Sequence, residues 1–328
     1  MYERIIVPLD GTAFGEYALS WATEIATRSD AVLELVHIHV PAHYEQDLFE
    51  VPTYHYTGIV GSDSELDRSA LRRDVEALEE RARMLTSATG LRVRSRTISG
   101  NIDAALERET KAFGADLIVM STHARTGLAR SKLGSIADAV LRHATVPVLL
   151  VRPPAENATP DVPPVFGRIM VGLDGSTLSE QIIEPVARFA RLFGARIHLV
   201  HVAVPPGDQT FSRIIRTSDD RSMRVELTGD QYLGHVAKQW AADIESPVLE
   251  VRRAPSPVTG LIAAALESDP DLIAMATHGR AGIKRILLGS TSGEVLANAG
   301  LPVLLFRPRH RAWGRSTEPA VVAEHTVV

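Results

Sequence analysis

Two short loops carry the residue types with the clearest chemistry. One begins Ser121-Thr-His123-Ala124 and reaches Gly134-Ser135 nine residues later; the other begins Ala276-Thr-His278-Gly279 and reaches Gly289-Ser290 at the same spacing. Small residues let the backbone approach a ligand closely. A Gly-Ser pair at a helix start presents unpaired N–H groups and a hydroxyl, where the helix dipole favours an anion. Arg125, Arg130 and Lys132 lie in the first loop, and Arg280, Lys284 and Arg285 in the second. Phosphate binding fits this pattern. Ser135 and Ser290 as simple helix caps is the competing reading. His123 and His278 suit either ligand contact or loop bracing.

A carboxylate stands upstream of each loop. Asp10 closes IIVPLDGT (5–12), and Asp174 closes IMVGLDGS (169–176). A carboxylate ending the first strand of a parallel sheet faces the binding crevice. There it suits a ribose hydroxyl or a Mg²⁺ ion bridging phosphates. It equally suits a turn in which aspartate organises the Asp-Gly-Thr/Ser bend.

These matches are parts of one repeat, which sets the architecture. Asp174 follows Asp10 by 164 positions, whereas His278 follows His123 and Gly289 follows Gly134 by 155. The second copy is therefore nine residues shorter between its first aspartate and its fourth strand. Within the first copy, apolar runs at 5–9, 32–38, 91–94, 116–120 and 146–151 read as strands. Helical patterns follow 12, span about 64–88 and 101–113, and begin near Ser135. The strand–helix alternation predicts an α/β fold: two tandem flavodoxin- or Rossmann-like domains, each a five-stranded parallel sheet with helices on both faces. The expected boundaries are 1–152 for the first domain and 167–308 for the second. A linker with five prolines is expected at 153–166, and a disordered tail at 309–328. Residues 41–64 and 205–230 read as irregular segments.

A length of 328 residues fits two domains. The net charge of −5 gives no reason to expect a nucleic-acid or membrane partner. There is no cysteine, which excludes disulfides, thiolate metal sites and cysteine nucleophiles. No apolar run approaches the ~20 residues of a membrane span, and the opening residues lack a signal-peptide pattern. A cytoplasmic protein is expected. His37 and His39 alternate on the second strand with His43 nearby; core or edge roles are expected for them rather than a metal site. Tyr44, Phe49, Tyr54 and Tyr56 read as a packed loop or interface, and Glu76–Arg83 as a solvated helix face.

Over about 5–152 and 168–307 the chain resembles a tandem universal stress protein of the UspA-like type. Nucleotide-binding members carry Gly-x2-Gly-x9-Gly-(Ser/Thr). This chain has Ser121-x2-Ala124-x9-Gly134-Ser135 and Ala276-x2-Gly279-x9-Gly289-Ser290. The third glycine and the serine stand in both copies, the second glycine only as Gly279, the first in neither. The resemblance implies ATP, with Mg²⁺ at Asp10 and Asp174. Contacts would come from Pro8, Leu9 and Asp10, and from Gly172, Leu173 and Asp174. Backbone at Ile38 and Val202 would meet adenine. The fourth-strand ends, Met120 with Ser121 and Met275 with Ala276, would lie beside the nucleotide with His123, Ala124, His278 and Gly279. The phosphates would rest on Gly134, Ser135 and Ile136, or on Gly289, Ser290 and Thr291. It also implies pairing of the two last strands within the chain, and a homodimer of such chains.

The second copy matches the binding pattern better, and the first suits a packing partner if it binds nothing. ATP binding with little turnover is the expected function. A nucleotide-free interaction module of the same fold is the alternative. An ATP-hydrolysing or adenylate-transferring enzyme ranks lower, since no Gly-x4-Gly-Lys-(Ser/Thr) occurs. A receiver domain would want an acidic pair after strand one, and each aspartate stands alone.

Overall fold

A computed structural model of the chain describes residues 1–39, 65–122, 135–153, 164–205, 211–216, 222–277 and 290–308. The first half runs β1 (Arg4–Leu9), α1 (Ala13–Ser29), β2 (Val32–His39), α2 (Glu65–Thr89), β3 (Val93–Ser99), α3 (Ile102–Phe113), β4 (Leu117–Ser121), α4 (Ser135–His143) and β5 (Val148–Val151). The second half repeats this order. It has β6 (Arg168–Leu173), a 3₁₀ turn (Ser179–Ile182), α5 (Ile183–Phe193) and β7 (Arg196–Ala203). A hairpin of β8 (Phe211–Arg216) and β9 (Ser222–Leu227) precedes α6 (Gly229–Gln239). Then come β10 (Val248–Arg253), α7 (Pro257–Ser268), β11 (Leu272–Ala276), α8 (Ser290–Asn298) and β12 (Val303–Phe306).

Ten strands form one sheet in the order β10-β7-β6-β11-β12-β5-β4-β1-β2-β3. Within each half every pairing in this sheet is parallel. The halves meet where β12 runs antiparallel to β5, with Val303 opposite Leu150 and Leu305 opposite Val148. Both strands are apolar throughout, VLLV and VLLF, and all eight residues are buried. Such strands cannot be left at an edge, so each covers the other. The expected pairing of the last strands within one chain is therefore present.

One apolar cluster runs along the sheet face that carries α1, α2, α5 and α6, joining Ile5, Leu33 and Ile25 to Ile169, Leu199 and Val186. The other face is filled from α3, α4, α7 and α8. An aromatic group closes the seam. Phe166 is fully buried, its ring 4.7 Å from Phe193, 5.3 Å from Phe189 and 5.6 Å from Trp21. The buried Tyr2 hydroxyl donates to the Pro185 carbonyl at 3.2 Å. Phe166 stands at the end of the proline-rich 153–166 stretch, so that stretch ends in an anchor.

Two expectations need correction. Residues 205–230 are not simply irregular, because they hold the antiparallel β8–β9 hairpin. Each strand mixes arginine or glutamate with its β-branched residues, so neither run is continuously apolar in the sequence. The Glu76–Arg83 run is not wholly solvated: Leu78 and Ala82 are buried in the core. At 3.6 residues per turn a charge-rich stretch still turns every fourth residue inward. Tyr44, Phe49, Tyr54, Tyr56, His43 and the 309–328 tail lie outside the described residues.

Candidate functional site

In each half the strand order reverses between the first and fourth strands: β1 has β2 on one side and β4 on the other, and β6 has β7 and β11. Beyond the carboxyl ends of such a pair the two connections diverge and leave a crevice. Both aspartates sit at its floor. Asp10 Oδ1 accepts from the Thr12 amide at 3.0 Å and the Thr12 hydroxyl at 2.6 Å. Asp174 Oδ1 accepts from the Ser176 amide at 2.9 Å and hydroxyl at 2.6 Å. The middle residues, Gly11 and Gly175, have φ of +76° and +89°, which only glycine adopts without strain. The turn-aspartate reading is therefore correct for one carboxylate oxygen, Oδ1, in both halves.

The helices after these turns start differently. Thr12 caps α1 by accepting the Gly15 amide at 3.0 Å. A Cβ on Gly15 would stand 2.3 Å from Asp10 Oδ1, so glycine lets the carboxylate lie against the helix. In the second half Ser179 takes that place. Its amide donates to Ser176 Oγ at 3.1 Å, and its hydroxyl donates to the Ser176 carbonyl at 2.8 Å. A 3₁₀ turn follows before α5, whose first turn contains Pro185 and so lacks one N–H.

A histidine braces each crevice floor. His37 Nδ1 lies 3.0 Å from the Leu9 carbonyl, and His201 Nδ1 lies 2.9 Å from the Leu173 carbonyl. A ring nitrogen facing a carbonyl must carry the proton, so both donate from Nδ1 and hold the end of the first strand to the second. His39 Nδ1 is 2.8 Å from Asp74 Oδ2, and His37 Nε2 is 3.4 Å from the same oxygen. Ala203 replaces His39 in the second half. Among the described residues no group of three or more such side chains is arranged to hold a metal ion. The brace was missed from sequence, although the match of His37 to His201 was its signal.

The remaining candidates fall around the crevice according to strand position. Pro8 and Leu9 end β1, and Gly172 and Leu173 end β6. Leu9, Leu173, Met120, Met275 and Val202 are buried, so these residues offer a ligand mainly backbone groups. Val202 is fixed by α7: a Cβ on Gly260 would come within 2.5 Å of its Cγ1. Ile38 is half-buried on β2. Ser121 ends β4, its hydroxyl 3.5 Å from the Gly15 carbonyl, and Ala276 ends β11. Thr122 and Thr277 follow, both buried, with amides bonded to Val151 and Phe306 carbonyls at 3.0 and 2.9 Å. Thr122 Oγ1 is buried without a hydrogen-bond partner among the described residues. Helix α4 starts at Ser135, followed by Ile136, and α8 at Ser290, followed by Thr291. His123, Ala124, Gly134, His278, Gly279 and Gly289 lie outside the described residues.

The two-copy, mostly parallel sheet with this aspartate turn defines the class. The universal stress protein family model matches residues 1–152 and again 166–307, and the chain belongs to that family. A universal stress protein of Mycolicibacterium smegmatis is 27% identical over 309 residues, covering 93% of this chain and 97% of that protein. One from Mycobacterium tuberculosis is 26% identical over 312 residues, covering 92% and 96%. In structure, a universal stress protein from Archaeoglobus fulgidus superposes with a TM-score of 0.65 at 17% identity, covering 94% of this chain and 97% of that one. That last likeness supports the fold alone.

Proposed function

We propose that this universal stress protein binds ATP in the crevice of each half, more tightly in the second, and that binding rather than turnover is its task. The observation that carries this reading is the duplicated crevice floor: an aspartate turn, a histidine-braced strand end and a small-residue fourth-strand end, set at the point where strand order reverses. The residues fit the nucleotide. Backbone at Ile38 and Val202 would meet adenine. The amino ends of α4 and α8 would favour phosphate charge. The turn holds Asp10 and Asp174 through Oδ1 just beyond the ends of β1 and β6, and these two carboxylates would hold a nucleotide-bound Mg²⁺. Bound Mg²⁺ would supply charge neutralisation between phosphate oxygens. The cysteine-free composition supports a cytoplasmic setting. Among the described residues no helix is long and apolar enough to cross a membrane.

The second half is proposed as the stronger site because Gly279 stands where the first half has Ala124. The departures at Ser121 and Ala124 favour a nucleotide-free packing role for the first half if only one site fills. Calorimetric titration with ATP and Mg²⁺ tests both readings. Asp174→Asn keeps the turn acceptor and removes the charge; it should weaken the tighter site about tenfold or more, the scale of one lost charge-assisted contact. Gly289→Val should abolish that site. No heat up to about millimolar ATP, the weak end of useful affinity, would sink the proposal.

A further inference from the structure

The two ends of the ten-stranded sheet are built differently. At one end stands β3, whose face toward α3 carries Arg94 and Arg96. At the other stands β10, read VLEVRR, where Val248 is 58% exposed and Leu249 42%. The register places Arg94 beside Glu34 and Val248 beside His198, and Glu34 and His198 are the same position of the repeat. An arginine in the first half is thus a bare valine in the second. The helices behind these strands repeat the contrast. At an offset of 155, Glu107, Arg108 and Lys111 of α3 become Ile262, Ala263 and Leu266 of α7. In α3 Lys111 pairs with Glu107 at 2.6 Å; in α7 Leu266 is 80% exposed. Like charges along an edge strand resist edge-to-edge pairing, whereas β10 carries both signs, Glu250 with Arg252, beside two exposed apolar residues.

We propose that β10 is a docking edge for β10 of a second copy of this chain, paired antiparallel about a twofold axis through Val251. The Ala254 amide bonds inward to the Ala203 carbonyl at 3.1 Å. Parallel strands alternate the direction of their backbone groups residue by residue. Val248, Glu250 and Arg252 therefore turn their N–H and C=O toward β7, and Leu249 and Val251 turn theirs to the side on which no strand lies among the described residues. Antiparallel pairing joins outward residues to outward residues, so only a few registers remain. Centred on Val251, the pair sets Glu250 against Arg252 of the second copy twice, in the non-hydrogen-bonded pairs where side chains lie closest. Moved one step either way, it sets Glu250 on Glu250 or Arg252 on Arg252. The charge pattern therefore selects one self-complementary register, as an isologous contact requires. Glu250 and Arg252 are already aligned, 2.6 Å apart, with Arg252 also held by Glu267 of α7 at 2.8 Å. The same twofold brings both copies of α7 to one sheet face, beside the seam. β3 offers no such match, since centring on Arg96 stacks like charges.

Sedimentation velocity on the full chain tests this. At about 100 µM, where an interface of ordinary affinity is filled, the chain should sediment as a dimer. Val248→Arg with Leu266→Lys, which installs the first-half residues at exposed positions, should weaken the dimer tenfold or more. Glu250→Arg alone and Arg252→Glu alone should each sediment as monomers, with folding checked by circular dichroism. Mixed together they should form dimers again, because the two variants then pair opposite charges at both crossings. A wild-type chain that stays monomeric, a dimer indifferent to Val248→Arg/Leu266→Lys, or a mixture that fails to restore dimers would each overturn the proposal.

Discussion

The two halves share one frame and fill its flank with opposite chemistry. On the second strand of the first half, Glu34 is buried with its carboxylate 3.7 Å from Arg94. Burial, then repulsion from Glu109, pushes its carboxyl up to about 7, with Arg94 pulling only partly the other way. The same position in the second half is His198, 2.9 Å from Glu250. Burial pushes that imidazole below its ordinary value, against the opposing pull of Glu250. The apolar positions around both sites barely change: Leu33 and Leu35 answer Ile197 and Leu199. Packing density constrains the interior of the sheet. The ionisable pairs on its flank answer only to local charge balance, so duplication left them free to diverge.

The largest expected effect concerns what joins the halves. Phe166 contacts Trp21 of one half and Phe189 and Phe193 of the other. Phe166→Ala should cost about 3–5 kcal/mol, the range for deleting a buried aromatic ring, read by urea unfolding. The transition should also broaden as the two halves uncouple. A loss under about 1 kcal/mol, the scale of an ordinary surface change, would show that β5–β12 and the Tyr2 contact hold the halves without this ring.

The next effect separates the flanks by pH. A carboxyl whose folded value lies above its ordinary 4.5 favours folding while it holds its proton. That advantage is complete below about 4.5 and is lost as pH rises through about 7. Glu34→Gln keeps the shape without the charge. It should stabilise the chain progressively between pH 5 and pH 8, by about 1–3 kcal/mol at the upper end. His198 has the opposite sign: its folded value is lowered from 6.5, so its contribution is present above 6.5 and fades as pH falls below it. His198→Gln should therefore gain relative to wild type only on the acid side. A Glu34→Gln advantage that does not grow with pH would break the comparison.

Much of this was legible in the sequence, for a physical reason. The strands are continuous apolar runs because both faces are covered, and such runs stand out at IIVPL and LIVM. The duplicated Asp-Gly-Thr/Ser turn was legible because Gly11 and Gly175 need left-handed backbone. What escaped depended on partners distant in sequence. The bond from His37 to the Leu9 carbonyl spans 28 positions, and the burial of Phe166 depends on Trp21 far upstream. Neither has a local period. The β8–β9 hairpin escaped because FSRIIR and SMRVEL are short mixed runs without a continuous apolar signal. Of the site, the floor follows from strand ends, whereas the choice between caps and phosphate ligands at Ser135 and Ser290 depends on loop geometry that spacing does not determine.

The smallest effect compares the two floors themselves. The hydroxyls of Thr12 and Ser176 do the same two things: each donates to its aspartate Oδ1 at 2.6 Å, and each accepts an amide, from Gly15 at 3.0 Å or Ser179 at 3.1 Å. Thr12 is exposed, and Ser176 is buried. Water can replace a lost hydroxyl at the first position but has less access at the second, where the abandoned amide keeps its desolvation cost. Thr12→Ala should therefore cost about 1 kcal/mol or less, and Ser176→Ala about 1–2 kcal/mol, within the range of lost helix caps. The difference, read from paired urea titrations, should be a few tenths of a kcal/mol or more. Equal costs would mean that the two floors are equally wet. The proposed advantage of the second half would then rest on Gly279 alone, without help from a drier aspartate turn.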